Sequence, residues 1–432
     1  EQTYDSSKAV TVTLADNATK SSADGVIIDG NTVTITKEGV YVFTGSLSNG
    51  AIVVNAGDDA KVQIVLNGVD ITNNSSACIY SVNANKVFLT TADGSNNTLH
   101  VSGDYKQTDD NNVDAAIFSK TDLTINGTGT LTVKADYGHG IVCKDDLVIT
   151  GSTINVTSVD HAINGKNSIR IAAGTLNLTT GEDGLHSGND DDSTVGYIYM
   201  KDGDITINAK DDGIHADLEV RIDGGNIDIE SSYEGIEGAV VNVVGGKIAL
   251  VSSDDGFNSA GGSDSTGQQA DMFATEDGVS LNFYGGDVTV DASGDGLDSN
   301  GDLLVAGGTI YVSGPTNDGN GALDYNGAGT ITGGTVIATG SSGMALNFDS
   351  DSTQGTIMVN LDATTSDEVS LLDSDGKVLA SFTPSKEYNN VVVSTADIKD
   401  GSNYTVKAGN SETKVTMDGL VYGESSTMGG GQ

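Results

Sequence analysis

The 432-residue chain carries a formal net charge of −41, with 58 glycines, two prolines, two cysteines and no tryptophan. Such acidity excludes nucleic acid and anionic membrane surfaces as partners, because both would repel it, and it favours cations as ligands. No apolar run approaches the roughly 18 residues of a membrane-spanning helix, so no membrane span is expected.

Residues 1–60 alternate apolar and polar side chains in "AVTVTLA" and "NTVTITKEGVYVFTGSL". A period of two predicts strands. The segment reads as a β-rich N-terminal cap that closes a first coil or pairs as an antiparallel sheet. A chain that starts at Glu1 rather than at a methionine is compatible with a signal peptide having been removed.

Residues 61–351 repeat. An apolar residue follows an acidic-Gly or similar step at Ile79, Ile117, Ile141, Ile163, Leu185, Ile214, Ile236, Phe257 and Leu297, with weaker echoes at Leu323 and Leu346. Once two insertions near 188–196 and 260–278 are set aside, the period is about 22 residues, which signals a solenoid. Each unit holds two apolar-x-apolar strands, such as Val220-Arg221-Ile222 and Ile227-Asp228-Ile229, around a Gly-Gly turn. A third short strand begins at the repeated apolar residue. Three short strands and three bends per coil predict an all-β fold, a parallel β-helix whose inward residues stack between coils. No helical period persists over ten residues. Cys78 and Cys143 stand at different points of the repeat and are expected as unpaired, buried thiols.

Residues 352–421 read as hairpins of a small β-sandwich-like domain, with "DSDGK" (Asp373 to Lys377) as a turn, and 422–432 as a Gly-rich tail.

Two ladders flank the repeated apolar position. Two residues before it stand His139, His161, Asp183, Asp212, Glu234, Asp255 and Asp295; one residue after it stand His186, His215, Glu237, Asn258 and Asp298. Three before it, Glu182, Asp211 and Asp254 double the acids. Coils lie about 4.8 Å apart. At that distance two like charges repel by roughly 3 to 4 kcal/mol at an effective dielectric of about 20. A neutralising ion is therefore expected, and oxygen ligands of flexible spacing suit Ca²⁺. The metal set is Glu182, Asp183, Asp211, Asp212, Glu234, Glu237, Asp254, Asp255, Asp295 and Asp298. The simpler reading is that Asp caps the backbone at each turn, and it accounts for about half of these acids. The four ladder histidines read as outward turn residues, with acid–base or metal-ligand roles as the alternative. The inserted "GNDDDS" reads as solvated loop charge. Both arginines of the chain fall on one outward ladder, Arg170, Tyr199, Arg221 and Asn242, a donor set that suits a carboxylated sugar.

The segments "LTINGTGTLTV", "GIVCKDDLVITG", "DDGIHAD", "SSYEGIEGA" and "SDDGFNSAGGSD" resemble the bacterial carbohydrate-binding, polysaccharide-lyase-like parallel β-helix family. The resemblance implies a secreted or surface protein with a right-handed parallel β-helix that binds calcium and plant-wall polysaccharide, including acidic polygalacturonate. Its acidic positions carry over to Asp183, Asp212, Glu234, Asp255 and Asp295, whereas His139 and His161 depart from the pattern. The expected function is calcium-dependent, non-catalytic carbohydrate binding. A self-assembling surface fibre or adhesin subunit, and so a homo-oligomer or filament, is the alternative. A polysaccharide lyase comes third, because two arginines two coils apart make a poor catalytic base.

Overall fold

The computed structural model describes residues 3–21, 23–189, 191–260 and 274–425. Parts of both expected insertions, Asp190 and residues 261–273, and the tail from 426 onward lie outside the described residues. Every regular element among the described residues is a β-strand. Among the described residues no helix is long and apolar enough to cross a membrane. The chain divides into two units, Glu1–Ala216 and Asp217–Gln432.

The first unit is a parallel β-solenoid with three stacked faces. One face runs Val62, Val87, Leu123, Leu147, Ile169, Ile198, each paired with the next coil. A second runs Leu99, Leu131, Ile154, Leu176, Ile205. The third is the repeated column itself: Ile52, Ile79, Ile117, Ile141, Ile163, Leu185, Ile214. Alternation along each short strand turns these side chains inward, and all of them are buried. Each fully buried branched side chain contributes about 1.5–3 kcal/mol, which no coil could gain alone because its inward face needs neighbours above and below. Within the first 60 residues, Val26–Asp29 and Thr32–Ile35 form an antiparallel hairpin. Val10–Leu14 pairs in parallel with Gly39–Leu47.

The second unit continues the same grammar through Ile236, Phe257, Leu297 and Leu323, and through Ile227, Ile248, Val288, Ile310 and Val336. The repeated column ends at Leu323. Leu346, read from sequence as a weak echo, lies outside any strand and is only half-buried, while Ala345 and Phe348 beside it are buried. Thr335–Gly340 then pairs antiparallel with Tyr388–Ser394. A separate four-stranded antiparallel sheet follows, in the order Val378–Phe382, Val369–Asp373, Asn403–Ala408, Ser411–Thr416. Its first hairpin turns at the expected "DSDGK", where Gly376 has φ 80°. Cys78 and Cys143 are buried and unpaired, and burial pushes both thiols up to about 12.

Candidate functional site

In five coils the position two residues before the repeated apolar residue, His139, His161, Asp183, Asp255 or Asp295, has a structural duty. Its side chain accepts the backbone N–H of the same position in the next coil. In the first unit, His161 N–H donates to His139 Nδ1 at 3.1 Å, Asp183 N–H to His161 Nδ1 at 3.2 Å, and Asp212 N–H to Asp183 Oδ1 at 3.0 Å. In the second, Asp295 N–H donates to Asp255 Oδ1 at 2.6 Å, and Gly321 N–H donates to Asp295 Oδ1. Histidine and aspartate thus serve alike, since both present an acceptor at the right reach. Part of the acidic column is explained by this backbone capping alone.

The histidines are not the outward turn residues expected from sequence. They form one half-buried stack in the first unit, with ring centroids 5.0 Å apart for His139–His161, 4.3 Å for His161–His186 and 5.1 Å for His186–His215. Sequence spacing assigned them to two ladders, but the residues before and after the repeated apolar position meet across the short strand. Asp183 Oδ2 lies 3.2 Å from His161 Nδ1 and 2.8 Å from His186 Nδ1. Asp212 Oδ2 lies 3.1 Å from His215 Nδ1. Burial pushes His139 down to about 3, reinforced by the neighbouring His161, so it is neutral and free to accept. Burial acts the same way on His161, but the hydrogen bond and charge of Asp183, with Glu182 and Asp160, outweigh it and the net shift is upward. Asp183 is held well below the usual carboxylate range: its burial is overcome by the bonds to His161 and His186. Asp183, Asp211 and Asp212 bring one carboxylate oxygen each within 4.8 Å of one another.

The second unit holds a different cluster. The strand register sets Glu237, Asn258, Asp298 and Asp324 on successive coils, one residue after the repeated apolar position. Asp255 and Asp295 follow one another on the other side. Burial pushes Asp255 and Asp295 up to about 7 and Asp298 up to about 8, and the charges of these acids and Asp324 on one another add to it. Burial raises Asp324 as well. None of the ion pairs described above, nor Arg221–Asp223 or Lys386–Asp291, engages any of these four carboxylates. Asn258 donates through Nδ2 to Glu234 Oε2 at 2.8 Å, while its buried Oδ1 has no hydrogen-bond donor. This buried acceptor stands in strand register with Asp298 and needs a partner that the hydrogen bonds of the protein do not supply. The donor set is all oxygen, which fits the hard-ion chemistry of Ca²⁺. Asp324 was missed from sequence because no acidic-Gly step precedes Leu323; "GALDY" offers only Gly321-Ala322 there.

The outward ladder is more occupied than its residue types suggest. Arg170 pairs with Asp146 Oδ2 at 2.8 Å and stands in register with Tyr199 in the first unit. In the second unit Arg221 pairs with Asp223 Oδ1 at 2.9 Å, and Asn242 donates to Glu219 Oε1 at 2.8 Å. Elsewhere in the first unit, an open groove of about 420 Å³ runs past Thr128, Ser152, Thr153, Thr175 and Asp204, hydroxyl-rich and unflagged by any motif. In the inserted loop, Asp191 pairs with Lys166 and Asp192 accepts from Thr194.

Comparison with known proteins adds the family. A family model described as carbohydrate-binding domain-containing protein matches residues 29–278. A carbohydrate-binding domain-containing protein of Acetivibrio thermocellus is 41% identical over 143 residues, which cover 33% of this chain and 50% of that protein. The chain thus spans about half the length of this curated relative. A solved structure described as a polysaccharide lyase-like protein from C. thermocellum, a gadolinium derivative, is 36% identical with a TM-score of 0.49, covering 51% of this chain and 90% of that one. A family model that spans more than half of its length, over the coils just described, makes this chain a member of the carbohydrate-binding domain-containing protein family.

Proposed function

We propose that the protein is an extracellular, calcium-dependent, non-catalytic binder of acidic polysaccharide of the polygalacturonate type. Family membership supports the carbohydrate partner. What supports the calcium dependence is the second-unit register, which sets Glu237, Asn258, Asp298 and Asp324 on successive coils beside Asp255 and Asp295, with the four aspartates raised by burial and Asn258 Oδ1 buried without a donor. The four aspartates and Asn258 would hold the ion. Calcium, when bound, supplies positive charge that a uronate carboxylate can share. Without it, a chain of net charge −41 repels a polyanion. Arg221 and Asn242 of the same unit offer hydrogen-bond donors to sugar hydroxyls and carboxylates once their partners Asp223 and Glu219 are exchanged. The pairing of both arginines with aspartates supports a binding role over a lyase role, because a guanidinium held by a carboxylate is a weak proton acceptor.

Calorimetry with polygalacturonate in calcium and in chelator tests the reading. Binding is expected in calcium and absent in chelator, with Asp298→Asn weakening it at least as much as tenfold dilution of the metal. Equal affinity in both conditions would overturn the calcium dependence. Release of unsaturated uronide, followed by its ultraviolet absorbance, would overturn the non-catalytic assignment.

A further inference from the structure

The histidine stack of the first unit differs in chemical kind from the oxygen cluster of the second. Four of the five histidines in the chain lie on consecutive coils of one column. At its centre, one atom each from His161, Asp183 and His186 lie within 4.8 Å of one another. Asp183 Oδ2 is 3.2 Å from one imidazole nitrogen and 2.8 Å from the other. Ligand atoms about 2.1 Å from a tetrahedral ion stand roughly 3.4 Å apart, so the 2.8 Å separation would open and the ion would take the place of the Asp183 N–H at His161 Nδ1.

The three side chains are also fixed in advance. The rings of His161 and His186 are stacked with an interplanar angle of 11°, and Asp183 Oδ1 is anchored by the Asp212 N–H. The Asp183 side chain is 5% exposed and those of His161 and His186 are 17% and 23% exposed. The carboxylate is thus withdrawn from water while the rings keep an open side. Glu182 Oε2, 3.3 Å from His161 Nε2, adds a further oxygen at the rim. Two imidazoles and one carboxylate with a position left open select borderline divalent ions such as zinc or copper(II) over calcium, which prefers six to eight oxygens.

We propose that His161, Asp183 and His186 form a binding site for a borderline divalent transition-metal ion, separate from the second-unit oxygen cluster and independent of how the protein holds sugar. The test uses the intact chain with copper(II) or zinc alone, in excess calcium. One equivalent of copper(II) is expected to bind with nitrogen couplings in its electron paramagnetic resonance spectrum. Zinc affinity is expected to fall on the order of tenfold or more in His161→Asn and in His186→Asn, and to stay unchanged in Asp298→Asn. A copper spectrum without nitrogen couplings, zinc displaced by calcium at comparable concentration, or unchanged zinc affinity in both histidine variants would each overturn the proposal. The wild-type spectrum decides the matter even if a histidine variant fails to fold.

Discussion

A carboxylate in the second-unit cluster should stabilise or destabilise the fold according to what it faces. Asp298 is pushed up to about 8 by burial and then by Asp255, Asp295 and Asp324. A carboxyl whose folded value is raised contributes stability that is fully present below its unfolded value near 3.9 and is lost as pH rises through the folded value. In chelator, therefore, the cluster should cost stability progressively between about pH 4 and pH 8. His139 acts in the opposite sense: it is held neutral, so its contribution is present above about 6.5 and lost as pH falls toward 3. The difference between calcium and chelator melting temperatures isolates the carboxylates, and it should widen from pH 5 to pH 8. Asp298→Asn should reverse sign with the medium. At pH 8 in chelator it is expected to stabilise by about 2 kcal/mol, because a charge is removed from among like charges, and in calcium it should abolish the metal's increment. Scanning calorimetry of both forms checks this, and a variant destabilised equally in both media would contradict it. At this scale the sequence displayed the acids but not their company. Asp295 and Asp298 were visible from spacing; Asp324 was hidden because its coil lacks the acidic-Gly step, and the histidine stack because two ladders merge in space.

Coil bends depend on how closely one backbone passes the next. Gly181 has an ordinary backbone conformation, yet an added Cβ would sit 2.0 Å from the carbonyl oxygen of Val159 in the coil before it. Gly94 meets nothing within 4 Å, although its φ of 66° lies in the left-handed region. Gly181→Ala should therefore cost about 1–3 kcal/mol through overpacking, and Gly94→Ala about 1 kcal/mol through backbone strain. Urea unfolding of the two variants should separate them, and equal losses would show that the coils yield more easily than this spacing allows. Inside, Ile163→Ala should cost about 2–5 kcal/mol, as expected where a stacked side chain leaves a cavity between two neighbours. The strand pattern was the most legible part of the sequence. A run such as Val220-Arg221-Ile222 fixes which residues face in, and the repeated columns, Ile79 to Ile214 in the first unit and Ile236 to Leu323 in the second, follow from period alone. Leu346 shows the limit of that method: beyond the last coil the chain leaves the repeat, and an isolated apolar residue carries no phase.

For the chain as a whole, the dominant quantity is its net charge of −41, carried on 432 residues. Self-repulsion of that size opposes the compact state and is screened over about 10 Å at 0.1 M salt. In chelator, added sodium chloride should raise the melting temperature, and the gain should shrink once calcium is bound. At a free calcium concentration a hundredfold above its dissociation constant, one site adds about 2.7 kcal/mol by mass action. Differential scanning fluorimetry across salt and calcium checks both effects; a salt response unaltered by calcium would place the repulsion elsewhere than in the cluster. Charge and fold class were readable from composition, whereas the partition after Ala216 was not, since "DDGIHADLEV" runs through it without any linker composition.

The relay in which His139, His161 and Asp183, and in the second unit Asp255 and Asp295, accept the next coil's N–H separates two kinds of obligation. Mechanical continuity asks only for a lone pair at a given reach, and an imidazole nitrogen at 3.1 Å meets that demand as well as a carboxylate oxygen at 3.0 Å. The chemical hardness of a rung can therefore drift from one coil to the next while the wall stays standing. A single rung of this wall can thus be exchanged between imidazole and carboxylate, changing the kind of ion it would favour, while the backbone contact it makes is kept.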